Sequence, residues 1–203
     1  QDMVGWPSYW MGLPPMWYGT HAIGPMVALS GSRISKVHCF GSGTMDERLH
    51  KQYGNPYPVE TAIFAFENGL KAEATRSLFE TNRAYQEGMF VYGSNGSFEW
   101  GIEDNSDPYV TRNAIPADGG RGSWPVVTQE RMPNYHTRLP ESIQKYTIGD
   151  NFDPQNPQDS LKEGRGGGHH GSHPHLVHEF VMSIVENRKP WIDELLGANI
   201  TAA

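Results

Sequence analysis

The sequence is poor in cysteine, in basic runs and in long apolar stretches, and each shortage argues against a class of protein. The single cysteine among 203 residues, Cys39, excludes an internal disulfide, and its alternating surroundings predict a buried, inert thiol. A formal charge of −7 without basic runs argues against nucleic acid and anionic membranes as partners. No stretch reaches the roughly 18 apolar residues of a membrane-spanning helix. We therefore expect a small molecule or another protein as the partner.

What is present is enough for a folded domain. Hydrophobic residues make up 37% of the chain and aromatic residues 11%, which suffices for a core. The chain begins with Gln1 rather than methionine and ends within a helical pattern, so we expect residues 1–203 to be one domain cut from a larger protein. The cellular location stays open between the cytoplasm and, if an export signal precedes Gln1, the periplasm.

The periodicity of apolar residues predicts an α+β fold with antiparallel strands. Residues 17–29 have helical spacing and are followed by Gly31, whereas residues 33–40 alternate as a strand does. Four further alternating segments form two predicted hairpins: 59–66 with 70–78 around Asn68-Gly69, and 89–92 with 97–100 around 94–96. Successive hairpins favour an antiparallel sheet over parallel units.

The second half of the chain is predicted to hold long loops and one strong helix. Residues 101–165 are rich in Pro, Asp, Asn and Gly, with one short helix expected around 139–146. A helix is predicted to begin near Ser172 and to stop at Pro190. We expect its apolar face to pack on the sheet. That face comprises Leu176, Val177, Phe180, Val181, Ile184 and Val185.

Two segments stand out as chemical candidates. Five of the nine histidines fall within residues 169–178, where three glycines lead into the predicted helix. Glycines allow close backbone approach, a helix start offers unpaired N–H groups, and imidazole exchanges protons near neutral pH. The second segment is aromatic and indicates either a ligand site or a surface for another domain or subunit. Its members are Trp6, Tyr9, Trp10, Trp17 and Tyr18.

Four features in this order resemble the C-terminal substrate domain of the Gfo/Idh/MocA oxidoreductase family. They are the segment 18–25 (Tyr-Gly-Thr-His-Ala-Ile-Gly-Pro), the hairpin-bearing sheet, the segment 168–175 (Gly-His-His-Gly-Ser-His-Pro-His) and the segment 186–191. The resemblance implies a dihydrodipicolinate reductase-like domain, in which a mostly antiparallel open sheet carries helices on one face. It also implies a homo-oligomer formed through the sheet face, and NAD or NADP bound mainly by an N-terminal Rossmann domain. That half is missing here, since we find no Gly-x-Gly-x-x-Gly between a strand and a helix.

The resemblance also implies site residues. The family pattern Asp-x-Gly-x-His-x-x-Asp, whose histidine faces substrate and nicotinamide, matches at Gly19 and His21, whereas Trp17 and Gly24 replace its acids. His169 is similar in position to the histidine of a His-Gly-Gly segment in NAD-dependent glycosidases of this superfamily. His21 and His169 are therefore the predicted acid/base residues. The predicted substrate-binding residues are Trp10, Trp17, Tyr18, Arg165, His170 and His173.

The function implied is that of a substrate-binding domain in an NAD(P)-dependent oxidoreductase that transfers hydride between a sugar or glycoside hydroxyl and nicotinamide. We expect the 203 residues alone to be inactive. One alternative is a non-catalytic carbohydrate-binding or assembly module. Its surface would be furnished by Phe64, Phe66, Phe90, Tyr92, Phe98 and Trp100. Another is a metal-dependent sugar-modifying enzyme using the histidine cluster, although the glycines argue against the helical spacing that His169 and His173 would need as ligands.

Overall fold

The computed structural model describes residues 9–79, 86–102, 106–112, 126–133, 135–147 and 168–202, with the backbone alone for 168–170. The chain forms two compact units. The first contains residues 1–130 and 194–203, and the second contains residues 131–193. The expectation of one substrate-binding domain over residues 1–203 stays a prediction.

The first unit holds two antiparallel sheets, which confirms the predicted α+β class. One sheet has the order β1 (Ile34–Ser42), β2 (Val59–Phe66) and β3 (Lys71–Ser77). The other has the order β4 (Phe90–Gly93), β5 (Gly96–Glu99), β6 (Tyr109–Arg112) and β7 (Val126–Gln129). Both predicted hairpins are present, and the first turns at Gly69, whose φ of 93° favours glycine.

Two helices cover one face of the β1–β3 sheet. They are α1 (Thr20–Ser30) and α5 (Glu194–Thr201), and a 3-10 turn over Pro15–Tyr18 precedes α1. As predicted, Gly31 ends α1: its φ is 59°, and its N–H donates to the carbonyl of Val27 at 3.1 Å. The buried core between helix and sheet comprises Ile23, Val27, Ala62, Phe64, Phe66 and Ala74.

Three elements of the first unit are absent from the sequence-based prediction. The strands β6 and β7 lie where only loops were expected, and a short helix α2 spans Glu47–His50. Each has four residues, which is too short for an apolar periodicity to show. The start of α2 is set by Asp46, whose Oδ1 accepts a hydrogen bond from the N–H of Arg48 at 2.8 Å.

The second unit contains α3 (Glu141–Gln144), inside the predicted 139–146 segment, and α4 (Gly168–Val185). The helix begins at Gly168, four residues before the start expected near Ser172, and Gly171 within its first turns has a φ of 82°. The helix ends earlier than Pro190. Asn187, with a φ of 50°, forms the left-handed cap, and the N–H of Arg188 donates to the carbonyl of Ser183 at 2.9 Å.

The apolar face of α4 is exposed within the described residues, and the expectation that it packs on the sheet stays a prediction. Its six apolar residues, from Leu176 to Val185, are between 46% and 70% exposed. The spacing of apolar residues predicts that the helix is amphipathic, but it does not predict what packs against the apolar face.

Within the described residues, no helix is both long and apolar enough to cross a membrane.

Two predictions about burial are wrong. Phe64 and Phe66 were expected on an exposed face, but they point inward with Ala62 because residues two apart share a face of a strand. Phe90 and Tyr92 are exposed as expected, and the homo-oligomer itself stays a prediction. Cys39 is exposed, not buried. Partial desolvation and the negative charge of Glu60 still raise the pKa of its thiol, which keeps the thiol protonated.

Candidate active site

The predicted acid/base residue His21 lies beside Tyr18 at the start of α1. Tyr18 is the last residue of the 3-10 turn, and His21 follows in the first turn of the helix. Residues three apart meet on one side of a helical segment. The Nε2 atom of His21 is 3.0 Å from the hydroxyl oxygen of Tyr18, and the ring centroids are 5.0 Å apart. The tyrosine and histidine thus form a hydrogen-bonded pair.

Glu87, just before β4, holds the other nitrogen of the imidazole. Its Oε2 lies 3.1 Å from Nδ1 of His21, and the two side chains are only 22% and 27% exposed. A carboxylate at this place favours the tautomer with the proton on Nδ1. Nε2 is then the acceptor, and the Tyr18 hydroxyl donates to it. The three side chains form a chain of proton-exchanging groups in the order Glu87, His21, Tyr18.

Trp10 and Arg76 flank the ring of Tyr18. The Trp10 ring meets Tyr18 edge-on with centroids 4.6 Å apart, and the guanidinium carbon of Arg76 lies 5.3 Å from the Tyr18 centroid. Arg76 shares the inward register of β3 with Ala74. Its Nε is buried and has no hydrogen-bond partner in the part of the chain that the structure describes.

Glu60, opposite Arg76 on β2, secures the loop that carries Tyr18. Its Oε2 accepts a hydrogen bond from the N–H of Met16 at 2.7 Å, and its Oε1 accepts one from Nδ2 of Asn55 at 3.1 Å. This carboxylate therefore fixes the 3-10 turn before α1. The guanidinium of Arg76 lies beside the ring of Tyr18.

The predicted aromatic segment forms a partly exposed wall. Trp17 is 72% exposed and meets the ring of Tyr53 edge-on at 5.7 Å. The hydroxyl of Tyr53 donates to the carbonyl of Tyr9 at 2.6 Å, and Tyr9 in turn lies 4.8 Å from Trp10. Trp10, Trp17 and Tyr18 are thus linked to one aromatic cluster near His21. Trp6 lies outside the described residues.

The histidines of α4 belong to the second unit, whereas His21 belongs to the first. His169 and His170 are in the opening turn of α4, but their side chains lie outside the described part, as does Arg165. His173 is exposed. Among the residues that the structure describes, no group of three or more His, Cys, Asp or Glu side chains is placed to hold a metal ion.

Two members of the cluster were not predicted. Glu87 reaches His21 from a distant part of the chain, and no local pattern connects them. Arg76 could have been identified from the sequence. Alternation along β3 places it on the same face as Ala72 and Ala74, where a charged residue is unusual. A charged residue in the inward register of a strand marks a position that needs a polar partner.

Comparisons with known proteins show a fold, not a family. No protein-family model and no curated protein matches the chain. Among solved structures, UDP-N-acetylglucosamine 3-dehydrogenase GnnA from Acidithiobacillus ferrooxidans is similar with a TM-score of 0.53 and 13% identity, over 90% of this chain and 42% of that one. An oxidoreductase domain protein from Kribbella flavida is similar with a TM-score of 0.54 and 18% identity, over 90% of this chain and 43% of that one.

Both similar structures are named as oxidoreductases or dehydrogenases, so this chain has a fold that occurs in such enzymes. The likeness agrees, at the level of the fold, with the resemblance seen in the sequence. The chain spans less than half the length of either solved protein.

Proposed function

We propose that this chain is the substrate-binding domain of an NAD(P)-dependent oxidoreductase that acts on a sugar or glycoside. The observation that carries the proposal is the hydrogen-bonded series Glu87, His21 and Tyr18 beside an aromatic wall. The similarity to oxidoreductase folds, and the sequence resemblance to a substrate domain, support it. NAD or NADP is bound mainly by a Rossmann domain outside these 203 residues.

The chemistry of alcohol oxidation matches the groups in the cluster. A base must take the hydroxyl proton while hydride leaves the same carbon for the nicotinamide. His21 supplies an imidazole, the side chain most often used as a general base, and the Glu87 carboxylate holds its Nδ1. The cluster thus has a base and a group that positions it.

The surroundings of the base are suited to a sugar. Trp10, Tyr18 and the exposed Trp17 offer aromatic surface on which a sugar ring stacks. Arg76 offers donors for hydroxyl or carboxylate oxygens. Separately from this cluster, His169 in the second unit stays an acid/base candidate, and Arg165, His170 and His173 stay candidate substrate contacts.

A matched pair of histidine variants tests the proposal. In the full-length protein, His21→Ala should lower kcat for sugar-dependent NAD(P)⁺ reduction by a factor of about 10²–10⁴, the usual contribution of a general base. His38→Ala is the control, because His38 is exposed on β1 and lies on the face that α1 and α5 leave open. Equal activity of the two variants, or no sugar-dependent reduction by the unmodified protein, would contradict the proposal.

A further inference from the structure

We propose that the hydroxyl of Tyr18, rather than the imidazole of His21, takes the proton from the substrate hydroxyl. In this arrangement His21 accepts the proton of Tyr18, and Glu87 is a positioning residue behind it. The inference rests on the proposed function and assigns the proton-transfer step within the same site.

The imidazole is occupied at both nitrogens. Nδ1 lies 3.1 Å from Oε2 of Glu87, and Nε2 lies 3.0 Å from the hydroxyl of Tyr18. A substrate hydroxyl that reached Nε2 directly would have to displace Tyr18. Proton transfer through Tyr18 needs no such rearrangement.

The tyrosine hydroxyl has the capacity for this role. While it donates its proton to Nε2 of His21, its lone pairs can accept a hydrogen bond from a substrate O–H. The guanidinium carbon of Arg76 lies 5.3 Å from the centroid of the Tyr18 ring, which places a positive charge beside this side chain. Trp10 packs at nearly a right angle against the same ring and restricts its orientation.

Two protons and one hydride move in this step. The substrate O–H bond breaks and its proton passes to the oxygen of Tyr18, while the proton of Tyr18 passes to Nε2 of His21. The carbon that bears the hydroxyl loses hydride to the oxidised nicotinamide, so the alcohol becomes a carbonyl and NAD(P)⁺ becomes NAD(P)H. The imidazolium beside Glu87 then releases its proton to water.

The test compares two isosteric tyrosine variants in the full-length protein. Tyr18→Phe keeps the ring against Trp10 and Arg76 but removes the hydroxyl, so kcat for sugar oxidation should fall by a factor of about 10²–10⁴ with little change in KM. Tyr109→Phe, on the exposed face of β6, is the control and should retain the unmodified rate. Urea unfolding midpoints of both variants establish that each is folded.

A second variant tests the role of Glu87. Glu87→Gln retains an acceptor for Nδ1 of His21 but removes the carboxylate charge. Because Glu87 acts through His21, kcat for sugar oxidation should fall while KM stays close to that of the unmodified protein. A merely structural role for Glu87 would instead lower the urea unfolding midpoint and change kcat and KM together.

The outcomes separate this inference from the function on which it rests. A Tyr18→Phe protein that is folded and turns over sugar at the rate of the Tyr109→Phe control would overturn the role of Tyr18 and leave the proposed function standing. An unmodified protein that reduces no nicotinamide with any sugar would overturn both.

Discussion

Replacing Phe64 by alanine should strongly destabilise the first unit, because this side chain lies at the centre of the core between α1 and the β1–β3 sheet. Phe64 is 1% exposed and packs with Ile23, Val27 and Ala74. Phe40 lies on β1 in the same sheet but is 69% exposed. Both substitutions remove the same side chain from the same sheet and differ only in how buried that side chain is, so Phe40→Ala is a matched control.

The expected magnitudes follow from that burial. Removing a buried phenylalanine side chain loses its transfer free energy and leaves a cavity, which together cost about 3–5 kcal/mol. A typical domain is stable by only about 5–15 kcal/mol, so Phe64→Ala removes a large part of the free energy of unfolding. Phe40→Ala should change the free energy of unfolding by less than about 0.5 kcal/mol.

Urea unfolding followed by tryptophan fluorescence measures both variants. With a dependence on urea of about 2 kcal/mol per molar, the midpoint of Phe64→Ala should fall by about 2 M. The midpoint of Phe40→Ala should stay close to that of the unmodified protein. Similar midpoints for the two variants would refute the assignment of the core to the face that carries Phe64.

Two predictions concern the end of α4. Glu179 accepts hydrogen bonds from Nη1 and Nη2 of Arg188 at 2.6 and 2.8 Å, and these bonds lower the pKa of its carboxyl from 4.5 to about 2. The ionised Glu179 carboxylate therefore stabilises the fold above about pH 4.5, and this stabilisation is lost as the pH falls towards 2. Urea unfolding midpoints measured across that pH range should decline less in Glu179→Gln than in the unmodified protein. Asn187 has a φ of 50°, a conformation that glycine adopts freely and valine does not. Asn187→Gly should therefore keep the thermal unfolding midpoint, whereas Asn187→Val should lower the free energy of unfolding by about 1–2 kcal/mol and lower the midpoint with it. Equal midpoints for the two variants would argue against the left-handed cap.

Features governed by neighbouring residues were predicted well from the sequence. The turn at Asn68-Gly69 and the end of α1 at Gly31 both depend on glycine in a left-handed conformation, which a short stretch of sequence reveals. The antiparallel α+β class followed from successive hairpins. The neighbourhood of His21 and Tyr18 was also predictable, because both lie within one turn of each other.

Features that depend on distant parts of the chain were not predictable in this way. The contact between Glu87 and His21 exists only because the chain returns to α1 just before β4. The amphipathic pattern of α4 was visible, but its exposure depends on what packs against it. Strands β6 and β7 are too short to show a period and are recognised through their pairing with β5 and with each other.

Binding of NAD(P)H is the most direct test, because we propose that this chain is the substrate-binding part of a nicotinamide-dependent oxidoreductase. Fluorescence titration of the full-length protein with NADH and NADPH, beside the same titration of the 203-residue chain, separates the two parts. We predict that the full-length protein binds at least one of the two nucleotides and that the chain alone binds neither. A full-length protein that binds neither nucleotide would contradict the account.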